Sequence, residues 1–323
     1  MGCRMQLFME PQIVKIISKL KNNLRINSKS LDDIPKFVFV CGEKILDDSG
    51  NILPERDLQA SNNIRHYIIS ELEEINKSGL YGKKYKQVKC IISEKIYTSD
   101  LADDILTFEE ILAEISENII IIAESAGTFC ELGAFSLDKF CKKTIVINED
   151  NPNYKSSFIT LGPIKKIESQ NENNVILYSD KSKIRNSFKL ASVINDLKRK
   201  EINIELNDNT HDLTLKYLIY EFLNIIELFQ PIDDAEIGYV YKNLRDINNY
   251  NIFNSNQHKI SSFRKVLLLM EKMDLIKKRN GYYEIDNNIS TYNVMFTLNR
   301  TEFMQLRMEY LSKASKEDRK VES

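Results

Sequence analysis

Glu131 is the residue whose setting in the sequence predicts chemistry most directly. It lies in Gly127-Thr128-Phe129-Cys130-Glu131-Leu132-Gly133, which follows a run of four isoleucines, Ile119–Ile122. This pattern predicts a buried strand, then a glycine turn, then a helix with Glu131 near its first turn. The field at a helix N-terminus favours the ionised form of a carboxylate. An ionised, firmly held carboxylate is what a glycosyl-transferring nucleophile requires, although a glutamate at this position is often only a partner of the helix dipole.

Small and polar residues near this glutamate are candidates for contact with a substrate. Ser125, Gly127 and Thr128 stand in the predicted turn, where a glycine lets a sugar or phosphate approach the backbone closely. Cys41 and Gly42 end the first predicted strand, so we expect their backbone to line the same pocket. No histidine lies near Cys41 in the sequence to activate it, which argues against a cysteine nucleophile.

Strands that alternate with helices must position these residues. Short apolar runs predict strands at 36–41, 88–92, 118–123 and 144–148, and helical periodicity predicts helices at 61–75, 108–115 and 131–141. The fold class is therefore α/β, a doubly wound parallel sheet, and such sheets bind ligands at the carboxyl ends of their strands. Gly133 would let the catalytic helix pack closely on the sheet.

The two ends of the chain differ in kind from this central part. Residues 11–24 form an amphipathic pattern that predicts an N-terminal helix. Residues 260–273 predict a helix, and the following Asn280-Gly281 between two short apolar runs is a strong hairpin signal. A helix followed directly by a hairpin is typical of a winged helix. We therefore divide the chain into an N-terminal helix (1–30), a sheet domain (31–180), a helical connector (181–231) and a winged-helix-like domain (232–323).

A basic patch accompanies the predicted winged helix. Residues 259–279 contain seven basic residues against two acidic ones. Lys265, Lys277, Lys278 and Arg279 are the candidates for nucleic-acid contact, which would be salt-dependent. Winged helices also dock on proteins, and residues 201–323 as a whole carry slightly more acidic than basic residues, so that alternative stays open.

Composition excludes several classes of protein. The net charge of −2 over 323 residues does not suit a protein that binds nucleic acid over its whole surface. Five scattered cysteines without a C-x-x-C pair argue against disulfides and against a structural metal site. No signal peptide and no bilayer-length apolar run is present, so we expect a cytoplasmic protein without a membrane segment.

The segment around Glu131 resembles the catalytic segment of nucleoside 2-deoxyribosyltransferases, in which the matching glutamate forms the covalent glycosyl intermediate. A longer stretch resembles the deoxyribosyltransferase-like effectors of bacterial retrons, anti-phage systems built from a reverse transcriptase and a DNA–RNA hybrid. The matching segments are Val40-Cys41-Gly42, Asp100-Leu101-x-Asp103-Asp104, Ile111-Leu112-Ala113-Glu114, Glu124-Ser125-x-Gly127, Glu131-Leu132-Gly133-Ala134-Phe135-Ser136 and Ser157-Phe158-Ile159-x-x-Gly162-Pro163.

This resemblance implies a nucleoside deoxyribosyltransferase-like, Rossmann-like N-glycosidase domain and a winged-helix-like tail. It further implies an abortive-infection toxin whose partners are the retron reverse transcriptase and its DNA–RNA hybrid, acting as an oligomer or within a complex. Asp100 and Asp103 match the place of a sugar- or base-binding aspartate, with Asp100 favoured as the second catalytic residue. Arg65 aligns with an arginine of the effectors and could hold a phosphate. A solvated helix start and a surface arginine are the alternatives for these residues.

One departure from the transferases bears on the substrate. They carry an aspartate six residues before the nucleophile, where this chain has Ser125. The missing aspartate disfavours base exchange. It matters less for a cleavage reaction in which the base is a good leaving group. Nicotinamide leaves a positively charged linkage as a neutral molecule, so we expect NAD as the substrate and no cofactor. A nucleoside deoxyribosyltransferase or other salvage enzyme, and a non-catalytic DNA-binding regulator that senses a nucleotide, are the alternatives.

Overall fold

The chain divides into two units, of which one is built on a parallel sheet and the other mainly on helices. The computed structural model describes residues 3–25, 34–78, 87–199, 214–246, 260, 262–287 and 293–321. The sheet unit comprises Pro35–Ser99 and Asp103–Ile202, and the helical unit comprises Met1–Ile34, Asp100–Ala102 and Asn203–Ser323. The predicted boundary between residues 30 and 31 lies outside the described residues.

Five parallel strands form the centre of the sheet unit and confirm the α/β class. They are β1 (Lys36–Cys41), β2 (Val88–Ile91), β3 (Asn118–Ala123), β4 (Thr144–Glu149) and β5 (Val175–Tyr178), in the order β2-β1-β3-β4-β5. Every residue of β1 and β3 is buried, because these central strands are covered on both faces. Their continuous apolar sequences are what such burial requires.

Helices cover both faces of this sheet. They are α3 (Glu55–Ala60), α4 (Ile64–Ser78), α5 (Ser93–Ile96), α6 (Ile105–Ile115), α7 (Ala126–Phe135), α8 (Asp138–Cys141), α9 (Lys165–Gln170) and α10 (Phe188–Arg199). Helices α4 and α10 pack in one core with alternate residues of the strands, such as Val38 and Ile120. Phe135 of α7 packs on Phe39 from the other face, with ring centroids 5.8 Å apart. The doubly wound arrangement brings α6 and α7 to the same side as Cys41.

Two local predictions in this unit were wrong. The helix predicted at 131–141 is two helices, because α7 begins at Ala126 and ends at Phe135, before α8. Ser125 starts α7 early, since its side chain and that of Thr128 cap each other's backbone N–H groups. The pair Ile96-Tyr97 is strand-like in the sequence, but in the structure Ile96 ends the single helical turn of α5.

The helical unit contains both ends of the chain. Its described elements are α1 (Cys3–Phe8), α2 (Pro11–Asn22), α11 (Leu215–Phe229), α12 (Asp234–Arg245), α13 (Phe263–Lys272), β6 (Ile276–Arg279), β7 (Tyr282–Ile285) and α14 (Arg300–Val321). The predicted hairpin is confirmed: β6 and β7 pair antiparallel, and Asn280 and Gly281 both adopt positive φ in the turn. Helices α12 and α14 were not predicted. Among the described residues no helix is long and apolar enough to cross a membrane.

Candidate active site

The edge formed by the carboxyl ends of β1 and β3 is the natural ligand site of this sheet. From β1 the chain crosses to β2 on one side, whereas β3 lies on the other side, so the winding direction reverses between β1 and β3. Doubly wound sheets with this strand order bind ligands at that switch point. Cys41 ends β1 there, and Ser125 follows β3 and caps α7.

Glu131 faces this edge from the second turn of α7. It is partly buried, and the thiol of Cys41 and the carboxyl group of Glu109 on α6 are close enough to influence its pKa. Its Oε2 atom is buried and has no hydrogen-bond partner. The structure therefore brings the predicted Glu131 and Cys41 together and adds a second carboxyl group beside them.

Burial decides the protonation of Glu131. Loss of solvent, with the nearby charge of Glu109, raises the pKa of Glu131 from 4.5 to about 7, although Arg65 acts in the opposite direction. The expectation that a helix N-terminus would favour the ionised form was wrong. Glu131 is the sixth residue of α7, beyond the first turn where the helix field is strongest. The same burial raises the pKa of Cys41 well above its usual value, so its sulfur is a thiol and a poor nucleophile.

Arg65 on α4 holds the edge together. Its side chain is 1% exposed and forms a bidentate pair with Glu94 on α5, at 2.6 and 2.8 Å. Its Nε atom donates to the carbonyl of Val40 at 3.0 Å, and Nη1 donates to that of Gly42 at 3.4 Å. The guanidinium thus ties the end of β1 to helix α5, which follows β2. Acceptors of the protein itself engage most of the N–H donors of Arg65. Contact between Arg65 and a phosphate stays a prediction.

Gly42 lies close to this arginine. A Cβ at Gly42 would lie 3.0 Å from Cδ1 of Ile122 and 3.1 Å from Cβ of Arg65. A larger residue would therefore require Ile122 or Arg65 to shift by a few tenths of an ångström. The predicted role of its backbone in lining a pocket is not tested by this finding.

Glu109 and its partner Ser93 were missed by the sequence argument. Glu109 is 7% exposed and accepts a hydrogen bond at 3.0 Å from Oγ of Ser93, and burial raises its pKa. One signal could have found it. Glu109 shares the buried face of α6 with Phe108 and Leu112, and a charged residue on an apolar helix face is uncommon.

The remaining predicted site residues lie around the start of α7. The hydroxyl groups of Ser125 and Thr128 form the cap of the helix, and Gly127 is exposed in its first turn. Gly133 has nothing within 4 Å of its added Cβ, so the predicted close packing at Gly133 was wrong. Substrate contact by Ser125, Gly127 and Thr128 stays a prediction.

A second polar cluster at this edge was not predicted. Nζ of Lys181 lies 3.0 Å from Glu43, after β1, and 3.1 Å from Glu124, after β3. The hydroxyl of Tyr178, which ends β5, donates to the same Glu124 at 3.3 Å. Carboxylates therefore outnumber cations along the carboxyl edge of the sheet.

The aspartates after α5 are less closely tied to this site. Asp103 is exposed, and Asp104 caps α6 by accepting from the N–H of Thr107 at 2.7 Å. Asp100 is also exposed and belongs to the helical unit. The catalytic role of Asp100 and the binding role of Asp103 stay predictions.

The basic patch is partly neutralised within the helical unit. Lys277 pairs with Asp286 at 2.9 Å, and Lys278 donates to the hydroxyl of Tyr283 at 3.1 Å. Lys265 on α13 and Arg279, exposed next to the hairpin turn, have no ion-pair partner among the described residues. Lys259 lies outside those residues.

Comparison with known proteins identifies the class of this chain. Residues 61–278 match the family described as "STM3845 retron effector protein". The match covers more than half of the chain, which therefore belongs to this family of retron effectors.

Two proteins from Escherichia coli with similar names are relatives of this chain. "Retron Ec73 putative ribosyltransferase/DNA-binding protein" is 26% identical over 310 residues, which are 85% of this chain and 89% of that protein. "Retron Ec86 putative ribosyltransferase/DNA-binding protein" is 38% identical over 90 residues, 25% of this chain and 29% of that protein.

Replacing Glu131 by glutamine should reveal the cost of burying its charge. Because the pKa of Glu131 is raised in the folded state, the folded protein loses stability as pH rises from about 4.5 to about 7. Glu131→Gln should therefore be more stable than wild type at pH 8, by roughly 1–3 kcal/mol, and nearly equal to it at pH 5. Urea unfolding at both pH values measures this. The control Glu110→Gln alters a surface ion pair with Lys139 and should show no such gain; the same difference at both pH values would contradict the assignment.

Exchanging Arg65 for lysine should loosen the edge of the sheet. A lysine keeps the charge but cannot make the bidentate pair and reach Val40 together, so we expect a loss of roughly 2–4 kcal/mol in unfolding free energy. Arg56→Lys is the matched control, since Arg56 is 85% exposed and pairs with Asp57 at 3.4 Å. It should change stability by less than about 0.5 kcal/mol. Similar losses in the two variants would disprove the role given to Arg65.

Proposed function

We propose that this retron effector is an N-glycosidase that breaks the bond between the sugar and the base of a nucleotide. The observation that carries the proposal is the partly buried carboxyl group of Glu131 at the β1/β3 switch point, near Cys41 and Glu109. The word ribosyltransferase in the names of both relatives supports the same class of reaction. The doubly wound sheet supports a nucleoside deoxyribosyltransferase-like domain.

The chemistry assigns one step to Glu131. Its ionised carboxylate attacks the anomeric carbon, the glycosidic electron pair leaves with the base, and a glycosyl ester remains on the enzyme. Water then releases the sugar. With a pKa of about 7, roughly half of the Glu131 side chains are ionised at neutral pH. Burial also removes the water that would otherwise solvate and weaken the nucleophile.

NAD is the substrate that we propose first, and we propose no cofactor. The cluster Glu43, Glu94, Glu109, Glu124 and Glu131 contains more carboxyl groups than the cations Arg65 and Lys181 balance. Such an edge attracts a positively charged group. The nicotinamide ring carries a positive charge while attached to ribose and loses it on leaving, so its departure needs no proton.

The helical unit supports a second part of the proposal, a winged-helix-like domain. Helix α11 is followed by a bridge at Ile232 to Tyr283, then by α12, α13 and the β6–β7 hairpin, which is the element order of a winged helix. We propose that Lys265 and Arg279, with Lys277 and Lys278, contact the DNA–RNA hybrid of the retron. The relatives' names include DNA-binding protein. The reverse transcriptase and its hybrid would then control a cytoplasmic anti-phage toxin, in an oligomer or complex.

Base release tests the catalytic proposal. We expect wild type to release nicotinamide from NAD and Glu131→Gln to be slower by at least about a thousand-fold, since the attacking group is lost. The rate should rise about tenfold per pH unit up to about pH 7 and then level off. Chromatography of released base measures both, with and without the cognate reverse transcriptase and its hybrid.

Several outcomes of this assay separate the alternatives. Glu110→Gln should keep the wild-type rate, because Glu110 pairs with Lys139 at the surface. Transfer of the sugar to an added free base would favour a deoxyribosyltransferase over a hydrolase. Cleavage by Glu131→Gln at the wild-type rate would disprove the nucleophile. Tight nucleotide binding without turnover in the complete complex would favour a regulator.

Salt dependence tests the nucleic-acid proposal. Neutralising Lys265 and Arg279 together with glutamine should weaken binding to a DNA–RNA hybrid and reduce the slope of log affinity against log salt by roughly 2. Neutralising Lys165 and Lys166 in the sheet unit is the control and should leave the slope unchanged. Fluorescence anisotropy measures both slopes. An equal slope in all three proteins would assign the hairpin to protein docking.

A further inference from the structure

The segment that follows β5 crosses the carboxyl edge of the sheet. Residues Lys181–Asn186 form a short 3₁₀ helix that packs on both β5 and α4. Lys181, at its start, reaches Glu43 after β1 and Glu124 after β3, at 3.0 and 3.1 Å. The segment therefore begins beside the β1/β3 switch point and carries the chain from there to α4, within the sheet unit.

Arg185 lies against Tyr67 of α4 where this crossing ends. The hydroxyl of Tyr67 donates to the carbonyl oxygen of Arg185 at 3.3 Å, and Cζ of Arg185 lies 5.4 Å from the centre of the tyrosine ring. The tyrosine thus fixes the backbone of Arg185 and offers the face of its ring to the guanidinium. A cation held in this way is positioned before any ligand arrives, which lowers the entropy lost on binding.

The guanidinium of Arg185 has no acceptor in the part of the chain that the structure describes. Its Nη2 atom is buried without a hydrogen-bond partner, and none of the described carboxylates pairs with it. The two lysines of the same segment differ, because Lys183 pairs with Asp180 at 3.1 Å and Lys181 pairs with two glutamates. A buried N–H group without an acceptor lowers stability, so this arrangement favours a ligand that supplies the acceptor.

We propose that Arg185 binds the phosphate of the nucleotide whose sugar lies at the switch point. The proposal rests on the N-glycosidase function given above and specifies its substrate class, which is a nucleotide with a phosphate on the sugar and not a free nucleoside. A planar guanidinium with unused N–H donors matches the oxygen atoms of a phosphate, and the opposite charges strengthen each hydrogen bond.

The spacing along the segment suits such a ligand. A 3₁₀ helix rises about 2 Å per residue, so Arg185 lies roughly 8 Å beyond Lys181. The sugar then occupies the end of β3, and its phosphate lies one sugar length away, beside Tyr67. Because Lys181 is bound to both Glu43 and Glu124, their negative charge opposes a phosphate at Arg185 only weakly.

Two substrates that differ only in the phosphate test the proposal. Nicotinamide mononucleotide and nicotinamide riboside have the same glycosidic bond and the same leaving group, and rates of nicotinamide release by the full chain with its retron partners give kcat and KM for each. Wild type should have a kcat/KM at least about tenfold higher for the mononucleotide. Arg185→Gln should lower that value by about ten- to a hundredfold, mainly through KM, and the value for the riboside by less than about threefold.

Two further variants make the comparison specific. Lys183→Gln is the matched control, since Lys183 belongs to the same segment, has a side chain that is 78% exposed and pairs with Asp180. It should keep the wild-type rates with both substrates. Arg185→Lys keeps the charge but not the planar pair of donors, so with the mononucleotide it should fall between wild type and Arg185→Gln. Equal losses with both substrates would give Arg185 only a structural role and overturn the proposal.

Binding separates failure of this inference from failure of the proposed function. If Glu131→Gln is inactive and wild type cleaves both substrates equally well, the phosphate site is overturned while the function stands. If no base is released at all, calorimetric titration still tests the site. Wild type and Lys183→Gln should bind the mononucleotide at least about tenfold more tightly than the riboside, and Arg185→Gln should lose that difference. Equal affinities in wild type, or no binding of the mononucleotide, would overturn the phosphate site.

Discussion

The buried guanidinium of Arg65 is the interaction on which the site depends. A single cation in the interior satisfies both oxygens of Glu94 and the carbonyl groups that end β1, so the strand end and helix α5 are fixed to each other. The absence of a side chain at Gly42 makes room for this arrangement. Because Glu131 lies beside Cys41 at the same strand end, the surroundings of the proposed nucleophile depend on the position of Arg65. The positive charge of Arg65, which holds the strand end in place, also lowers the pKa of Glu131.

Most of the sheet could be predicted from the sequence, because its central strands are buried on both faces and their sequences are continuously apolar. β1, β3 and the hairpin around Asn280 lie where the patterns place them. Helix boundaries were less certain, since they depend on side-chain caps: Ser125 and Thr128 start α7 earlier than periodicity suggests. Helices α12 and α14 were not predicted, although the capping box of Asp233 and Glu236 is a local signal for the start of α12.

The candidate site was only partly predictable. Glu131 could be found because its motif is local, whereas Glu109 lies 22 positions earlier and comes near it only in the folded sheet unit. The expected low pKa of Glu131 differs from the raised pKa in the structure for a related reason. Helix fields can be inferred from sequence, but desolvation depends on which side chains close over the group, and here desolvation is the larger effect. The role of Arg65 likewise could not be predicted, because it depends on how α4, α5 and the end of β1 come together.

The helix that carries Glu131 is unevenly anchored. Gly127 and Gly133 each lower its helix propensity by roughly 1 kcal/mol relative to alanine, and neither is needed to avoid a clash. Its large buried side chains, Leu132 and Phe135, belong to the last turn. The first turn therefore depends mainly on the Ser125–Thr128 cap, and this end next to the switch point opens most easily. Amide hydrogens there should therefore exchange with solvent well before those of β3.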